Sequence, residues 1–86
     1  MLHIKVAGPG CMNCEKLYNM CRDILDENEI DAILEKVTDR IKITDLGIWM
    51  TPGLIINDKI VSSGKIPIQS TLEHWILEAA EVNKDE

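Results

Sequence analysis

The sequence predicts an α/β fold in which a four-stranded mixed sheet is flanked by three helices. Strand-like and helix-like apolar patterns follow one another in the order βαβαββα along the 86 residues. The early strand–helix–strand unit implies a parallel pair of strands, because its right-handed crossover returns the chain in the same direction. A late pair of strands around a turn signal implies an antiparallel pair. One domain is predicted over residues 1–82, with 83–86 as a frayed tail.

The first half of the chain predicts a strand, a helix and a second strand. Residues 2–7 alternate between apolar and more polar types, as in a half-buried strand, and the Gly-Pro-Gly sequence at 8–10 ends that strand. Apolar residues then recur at helical spacing up to Asn28, and a short strand follows over 31–37. The apolar helical positions are Cys14, Leu17, Tyr18, Cys21, Ile24 and Leu25.

The second half predicts a short helix, a β-hairpin and a final helix. Thr38 and Asp39 supply a hydroxyl and a carboxylate that suit a helix start, and Gly47 suits the helix end. Two apolar segments around Asn57-Asp58 predict the hairpin, which ends at Gly64. The apolar positions of the last helix, which follows Pro67, are Ile68, Leu72, Trp75, Ile76 and Ala79.

The composition disfavours two broad classes of protein. The formal net charge is −6, and the chain has no Phe and one Tyr. It therefore lacks the basic patch and the aromatic platform that nucleic-acid binding uses. No apolar run approaches the roughly 20 residues of a bilayer span, and the N-terminus has no hydrophobic signal region. We therefore expect a cytoplasmic protein without nucleic-acid or membrane partners.

Cys11 and Cys14 are the predicted catalytic residues. In a reducing compartment a closely spaced cysteine pair is more often catalytic or metal-binding than structural. The Cys-x-x-Cys spacing at a helix start brings the two sulfurs within disulfide reach. The free N–H groups and the dipole of the helix stabilise a thiolate at Cys11. We therefore predict that Cys11 is the exposed nucleophile and Cys14 the resolving thiol.

The third cysteine, Cys21, falls on the apolar face of the same helix and is predicted to be a buried, inert thiol. A structural zinc site needs four ligands, and Cys21 lies about 10 Å along the helix axis from Cys14. Cys21 therefore cannot complete a zinc site with the cysteine pair, and no metal is expected there.

The Cys11-Met12-Asn13-Cys14 turn is followed in the chain by Thr51-Pro52, a hairpin, Gly64 and a last helix. This arrangement resembles the thioredoxin superfamily, and within it the small redox-active disulfide proteins, from Leu2 to about Ala80. The resemblance implies a minimal thioredoxin-like fold and a thiol–disulfide oxidoreductase that reduces target disulfides by dithiol exchange. It also implies no cofactor beyond the Cys11–Cys14 disulfide itself.

The resemblance further implies that the Thr51–Pro52 peptide bond is cis and lies against the disulfide. Such a bond exposes the backbone of Thr51 to an extended substrate segment, whereas a strand-start proline is the plainer interpretation of Pro52. Met12, Trp49 and Met50 are candidates for an apolar collar that binds substrate, with loop packing as the other interpretation of Trp49. The expected partners are protein or small-molecule disulfides, with a reductase or a low-molecular-weight thiol as electron donor.

Two alternatives from other functional classes stay open. The cysteine segment is similar to the loop of heavy-metal-associated domains, which hold Cu(I) between two thiolates, so a soft-metal carrier is the first alternative. In those domains a methionine precedes the first cysteine, whereas Met12 lies between the two here. A non-catalytic thioredoxin-like interaction module is the second alternative. Lys16 and Lys65 are minor candidates for stabilising a thiolate, with solvated side chains as the other interpretation.

Overall fold

A computed structural model of the chain describes residues 2–10 and 12–84, the last three of them by their backbone only. The elements confirm the predicted order of strands and helices. In chain order they are β1 (Leu2–Ala7), α1 (Met12–Glu27), β2 (Ala32–Val37), α2 (Arg40–Asp45), β3 (Gly53–Ile56), β4 (Lys59–Ser63) and α3 (Gln69–Lys84).

The four strands form one mixed sheet in the order β2-β1-β3-β4. β1 pairs in parallel with β2 and antiparallel with β3, and β3 pairs antiparallel with β4. The last pair is joined by a tight turn in which Asn57 and Asp58 have φ angles of 50° and 67°. Two successive positive φ angles suit the twist of paired strands, and Asn and Asp tolerate them better than most residues. The predicted mixed sheet is therefore confirmed.

Two cores cover opposite faces of the sheet. The larger one lies under α1 and α3 and takes Leu2, Ile4 and Val6 from β1, because alternate residues of a strand face the same side. Its helical contributions include Leu17, Cys21, Ile24, Leu72 and Ile76. The smaller core lies under α2 and consists of Ala7, Ile43, Ile48 and Ile55. Both faces are therefore covered at the end of the sheet where β1 stops.

Helix α2 is capped by one of the two predicted side chains and not by the other. The Asp39 carboxylate accepts hydrogen bonds from the backbone N–H groups of Ile41 at 2.8 Å and Lys42 at 3.4 Å. Asp39 is therefore the N-cap, and the prediction that the Thr38 hydroxyl contributes to the cap is wrong. A carboxylate at the N-cap also has a favourable interaction with the positive end of the helix dipole. Gly47 follows the helix with φ 90°, as predicted.

The last helix differs from its prediction at both ends. Ile68 precedes α3 and is 75% exposed, and its carbonyl accepts a hydrogen bond from the Leu72 N–H at 3.0 Å. Its predicted place in the buried stripe is therefore wrong, because a residue before the first helical turn does not share the orientation of the core-facing residues. α3 continues to Lys84, so residues 83 and 84 are helical, whereas 85–86 lie outside the described residues. Trp75 is partly buried against the larger core, as predicted.

Within residues 2–10 and 12–84, no helix combines the length and the apolar character needed to cross a bilayer.

Candidate active site

One end of the sheet brings together the segments that carry the predicted site residues. Ala7 of β1 pairs with Val37 of β2 and with Gly53 of β3, and Gly53 also pairs with Ser63 of β4. The chain that leaves β1, the chain that enters β3 and the chain that leaves β4 are therefore neighbours. The cysteine segment and the Thr51-Pro52 segment meet at this end because the strands that carry them are paired.

Cys14 lies in the first turn of α1 and is 6% exposed. On one side it faces Gly8, where an added Cβ would overlap the Cys14 sulfur and lie 3.7 Å from the Thr51 Cβ. Cys14, Gly8 and Thr51 therefore meet, although each comes from a different segment. Cys11 directly precedes α1 in the sequence and lies outside the described residues. Its role as nucleophile therefore stays a prediction.

The Thr51–Pro52 peptide bond is cis, as the resemblance implies. Thr51 is exposed, whereas Pro52 is buried. The Pro52 carbonyl accepts a hydrogen bond from the Gly64 N–H at 2.9 Å, and the Ser63 hydroxyl donates to the Met50 carbonyl at 3.2 Å. These two bonds fix the chain on both sides of Thr51 to the end of β4, with Thr51 itself at the surface.

Three large apolar side chains are exposed on the segments at this end. Met12 is 86% exposed, Trp49 82% and Met50 65%. The loop-packing interpretation of Trp49 is therefore wrong. Met50 lies over Gly64, where an added Cβ would be 2.9 Å from the Met50 Cβ. The predicted apolar collar agrees with these exposures, and its role in binding stays a prediction.

A charged contact that no sequence pattern predicts joins the start of α1 to β2. Lys36 Nζ lies 2.8 Å and 2.9 Å from the two carboxylate oxygens of Glu15, and 4.7 Å from the centroid of the Tyr18 ring. Both charged groups are partly exposed, so the pair contributes about 0–1 kcal/mol. Lys16 and Lys65 are exposed, in agreement with the solvated interpretation of both.

Cys21 is fully buried in the larger core, which confirms its predicted burial. Burial raises the pKa of the Cys21 thiol from 9.0 to about 12, because the thiolate loses its hydration in an apolar surrounding. At neutral pH Cys21 is therefore a protonated thiol. Because the thiolate is the reactive form of cysteine, we expect Cys21 to be inert towards disulfides.

We expect the protein to lose stability above pH 9 through Cys21. In the unfolded chain this thiol ionises near pH 9, whereas in the folded chain it stays protonated up to about pH 12. The unfolded state therefore binds fewer protons between these values, and the free energy of unfolding falls by up to about 1.4 kcal/mol per pH unit. Urea unfolding between pH 8 and 11, in the presence of a reductant, measures this slope.

The Cys21→Ala variant is the control for the alkaline effect. Its cavity lowers the stability at every pH by the same amount, whereas the slope above pH 9 that belongs to Cys21 is lost. An identical slope in the two proteins would show that the buried thiol does not cause the alkaline loss.

The described residues also form a groove that lies away from Cys14. A groove of about 660 Å³ between β4 and α3, lined among others by Asn57, Ile60 and Trp75, is next to the hairpin turn at the opposite end of the sheet. The described residues, which do not include Cys11, contain no cluster of three or more His, Cys, Asp or Glu side chains that could hold a metal. The Cu(I) alternative depends on Cys11 and stays a hypothesis.

Comparison with known proteins finds similarity over most of the chain. A family model described as a thioredoxin domain matches residues 2–77, a range that includes both the cysteine segment and Thr51-Pro52. A curated thioredoxin of Methanocaldococcus jannaschii is 39% identical over 67 residues, which cover 78% of this chain and 77% of the relative. A curated thioredoxin of Methanothermobacter thermautotrophicus is 32% identical over 66 residues, which cover 77% of this chain and 86% of the relative.

Proposed function

This chain belongs to the thioredoxin family, and from that premise we propose that it reduces disulfides of partner molecules by dithiol exchange through Cys11 and Cys14. At the coarser level, family membership supports a thioredoxin-type redox function, which is that of an oxidoreductase. The observation that carries the proposal is the position of Cys14. It is buried in the first turn of α1, follows Cys11 by three residues and lies next to the segment that contains Thr51.

The proposed reaction has two steps. The Cys11 thiolate first attacks one sulfur of the target disulfide, which forms a mixed disulfide and releases the other target sulfur as a thiolate. The Cys14 thiolate then attacks the Cys11 sulfur, which closes the Cys11–Cys14 disulfide and releases the second target thiolate. The target gains two electrons, and the protons lost by the two cysteines go to its thiolates through solvent. A reductase or a low-molecular-weight thiol supplies the two electrons that reopen the protein disulfide.

The segment before β3 supports docking of an extended target. Thr51 is exposed, and within residues 2–10 and 12–84 no hydrogen bond involves its backbone N–H or C=O. An extended segment of the target can therefore pair with this backbone as a short added strand. Such pairing would hold the target disulfide next to the cysteines without any contact to a specific target side chain.

The exposed apolar side chains favour proteins over small molecules as the source of the target disulfide. Met12, Trp49 and Met50 would lose apolar surface to a partner, at about 25 cal/mol per Å² removed from water. The net charge of −6 favours partners that are basic around their disulfide. A reducing compartment such as the cytoplasm suits this direction of exchange.

The Cys11→Ser variant tests the proposed function. With dithiothreitol as electron donor and a disulfide-bonded peptide as target, we expect the wild-type protein to accelerate reduction and the variant to have no activity above background. The reason is that a serine hydroxyl provides no thiolate at neutral pH. The rate of appearance of free peptide thiol is the measurement.

The matched control is Cys21→Ala, which removes a sulfur from the same helix. Cys21 is inert in the proposed reaction, so this variant is expected to retain the wild-type rate. If Cys11→Ser reduces the peptide as fast as wild type, or if Cys21→Ala loses the activity, the proposed reaction is refuted.

A further inference from the structure

We propose that Gly8 is a positioning residue for the resolving thiol, because its missing side chain leaves the volume that Cys14 Sγ occupies. This role rests on the proposed function, since it acts on the second step of the exchange. Nothing in the sequence pattern beyond a turn signal pointed to Gly8.

The position of Gly8 is held by its surroundings. Gly8 follows β1 and is buried, and its N–H donates a hydrogen bond to the Val37 carbonyl at 2.9 Å, which extends the pairing of β1 with β2. A Cβ at Gly8 would overlap Cys14 Sγ and would lie 3.1 Å from Cys14 Cβ. The hydrogen bond to Val37 ties the Gly8 backbone to the end of β2.

Space, and not backbone conformation, is the reason for a glycine at this position. Gly10 has φ 95°, in the left-handed region, and an added Cβ there would meet no atom of the described residues beyond its chain neighbours within 4 Å. At Gly8 the φ angle and the space for a side chain are the reverse of those at Gly10. Its φ lies outside the left-handed region, so φ does not demand a glycine, but a side chain there would collide with Cys14.

A displaced Cys14 sulfur would slow the second step of the proposed reaction. Non-bonded heavy atoms settle at about 3.5–4.0 Å, so a methyl group at Gly8 would displace Cys14 Sγ by more than about 1 Å. In the second step this sulfur must attack the Cys11 sulfur in line with the bond that breaks. A displacement of about 1 Å in such a step lowers the rate by about a hundredfold.

The Gly8→Ala variant, with 5,5′-dithiobis(2-nitrobenzoate) as the target disulfide, separates the two steps. The attack by Cys11 releases one coloured thiolate, and the attack by Cys14 releases the second. We expect Gly8→Ala to release the first at the wild-type rate and the second about a hundredfold more slowly. The control is Pro9→Ala, which changes the neighbouring exposed residue and is expected to leave both rates unchanged.

A second measurement does not depend on the activity of the variant. If the methyl group acts by its collision with the sulfur, Gly8→Ala should lower the urea midpoint of the wild-type protein, and should lower it much less in a Cys14→Ala background. This double-mutant comparison also applies if Gly8→Ala alone is poorly folded, because Cys14→Ala removes the atom with which the methyl group collides.

Failure of the Gly8 positioning role and failure of the proposed function give different experimental results. Release of both thiolates by Gly8→Ala at wild-type rates, equal slowing of both releases, or an equal loss of stability in the two backgrounds would each overturn the positioning role alone. If the wild-type protein releases no thiolate, the proposed function fails, and the role of Gly8 in the second step fails with it.

Discussion

Replacing Cys14 by serine is expected to leave the protein linked to its targets as mixed disulfides at Cys11. The first step of the proposed exchange needs only Cys11, whereas the release of the target needs the Cys14 thiolate. A serine of nearly the same size keeps the first turn of α1 but provides no nucleophile for the second step. Turnover should therefore stop after one target per molecule. Covalent complexes should accumulate on non-reducing gels and disappear after treatment with dithiothreitol.

Cys21 cannot replace Cys14 in the release step. It is fully buried, its pKa is raised to about 12, and it lies about 10 Å further along the helix axis. The mass of each complex should therefore correspond to one protein chain plus one target chain, with the bond mapped to Cys11. The double variant Cys11→Ser, Cys14→Ser is the control and should form no complex. Complexes linked through Cys21, or a Cys14→Ser variant that turns over like wild type, would contradict the two-step reaction.

Replacing Ile4 by alanine is expected to remove a large part of the stability of the fold. Ile4 lies in the middle of β1, a central strand, between Leu34 of β2 and Ile56 of β3, and it is completely buried in the larger core. Truncation of such a side chain costs about 2–5 kcal/mol, because apolar contacts are lost and a cavity remains. A domain of 86 residues is stable by about 4–13 kcal/mol in total. Urea unfolding followed by far-UV circular dichroism measures the loss.

Ile41→Ala is the matched control for the core variant. It makes the same chemical change on α2, where Ile41 is 73% exposed. Surface substitutions of this kind change the free energy of unfolding by about 0.5 kcal/mol or less. Similar losses for the two variants would contradict the assignment of Ile4 to the core, whereas a low midpoint for Ile4→Ala alone supports it.

The two described cysteines of α1 lie in different surroundings. Cys14 and Cys21 are two helical turns apart and therefore lie on the same face of α1, and both are buried. Cys21 faces the middle of the sheet among aliphatic side chains, whereas Cys14 lies at the end of the sheet near Gly8 and Thr51. Because both cysteines are buried, burial does not separate them, and in the proposed exchange Cys14 is distinguished by its position at the end of the sheet.

The sequence by itself determined the order of the elements, the mixed sheet and the cysteine pair as the candidate catalytic residues. These features depend on short-range relations: alternation in β1, helical spacing in α1, a turn at Asn57-Asp58 and the Cys-x-x-Cys spacing. Each of them is set by residues a few positions apart, so a single sequence suffices to recognise it.

Only the tertiary structure decided which distant side chains meet. The contact of Gly8 with Cys14 and Thr51, the pairing of Lys36 with Glu15 and the exposure of Trp49 all depend on how paired strands bring separate segments to one end of the sheet. The physical reason is that such contacts are fixed by side-chain volume and by the packing of elements that are far apart in the chain. No periodicity of the sequence records that packing, which is why Gly8 looked like an ordinary turn residue.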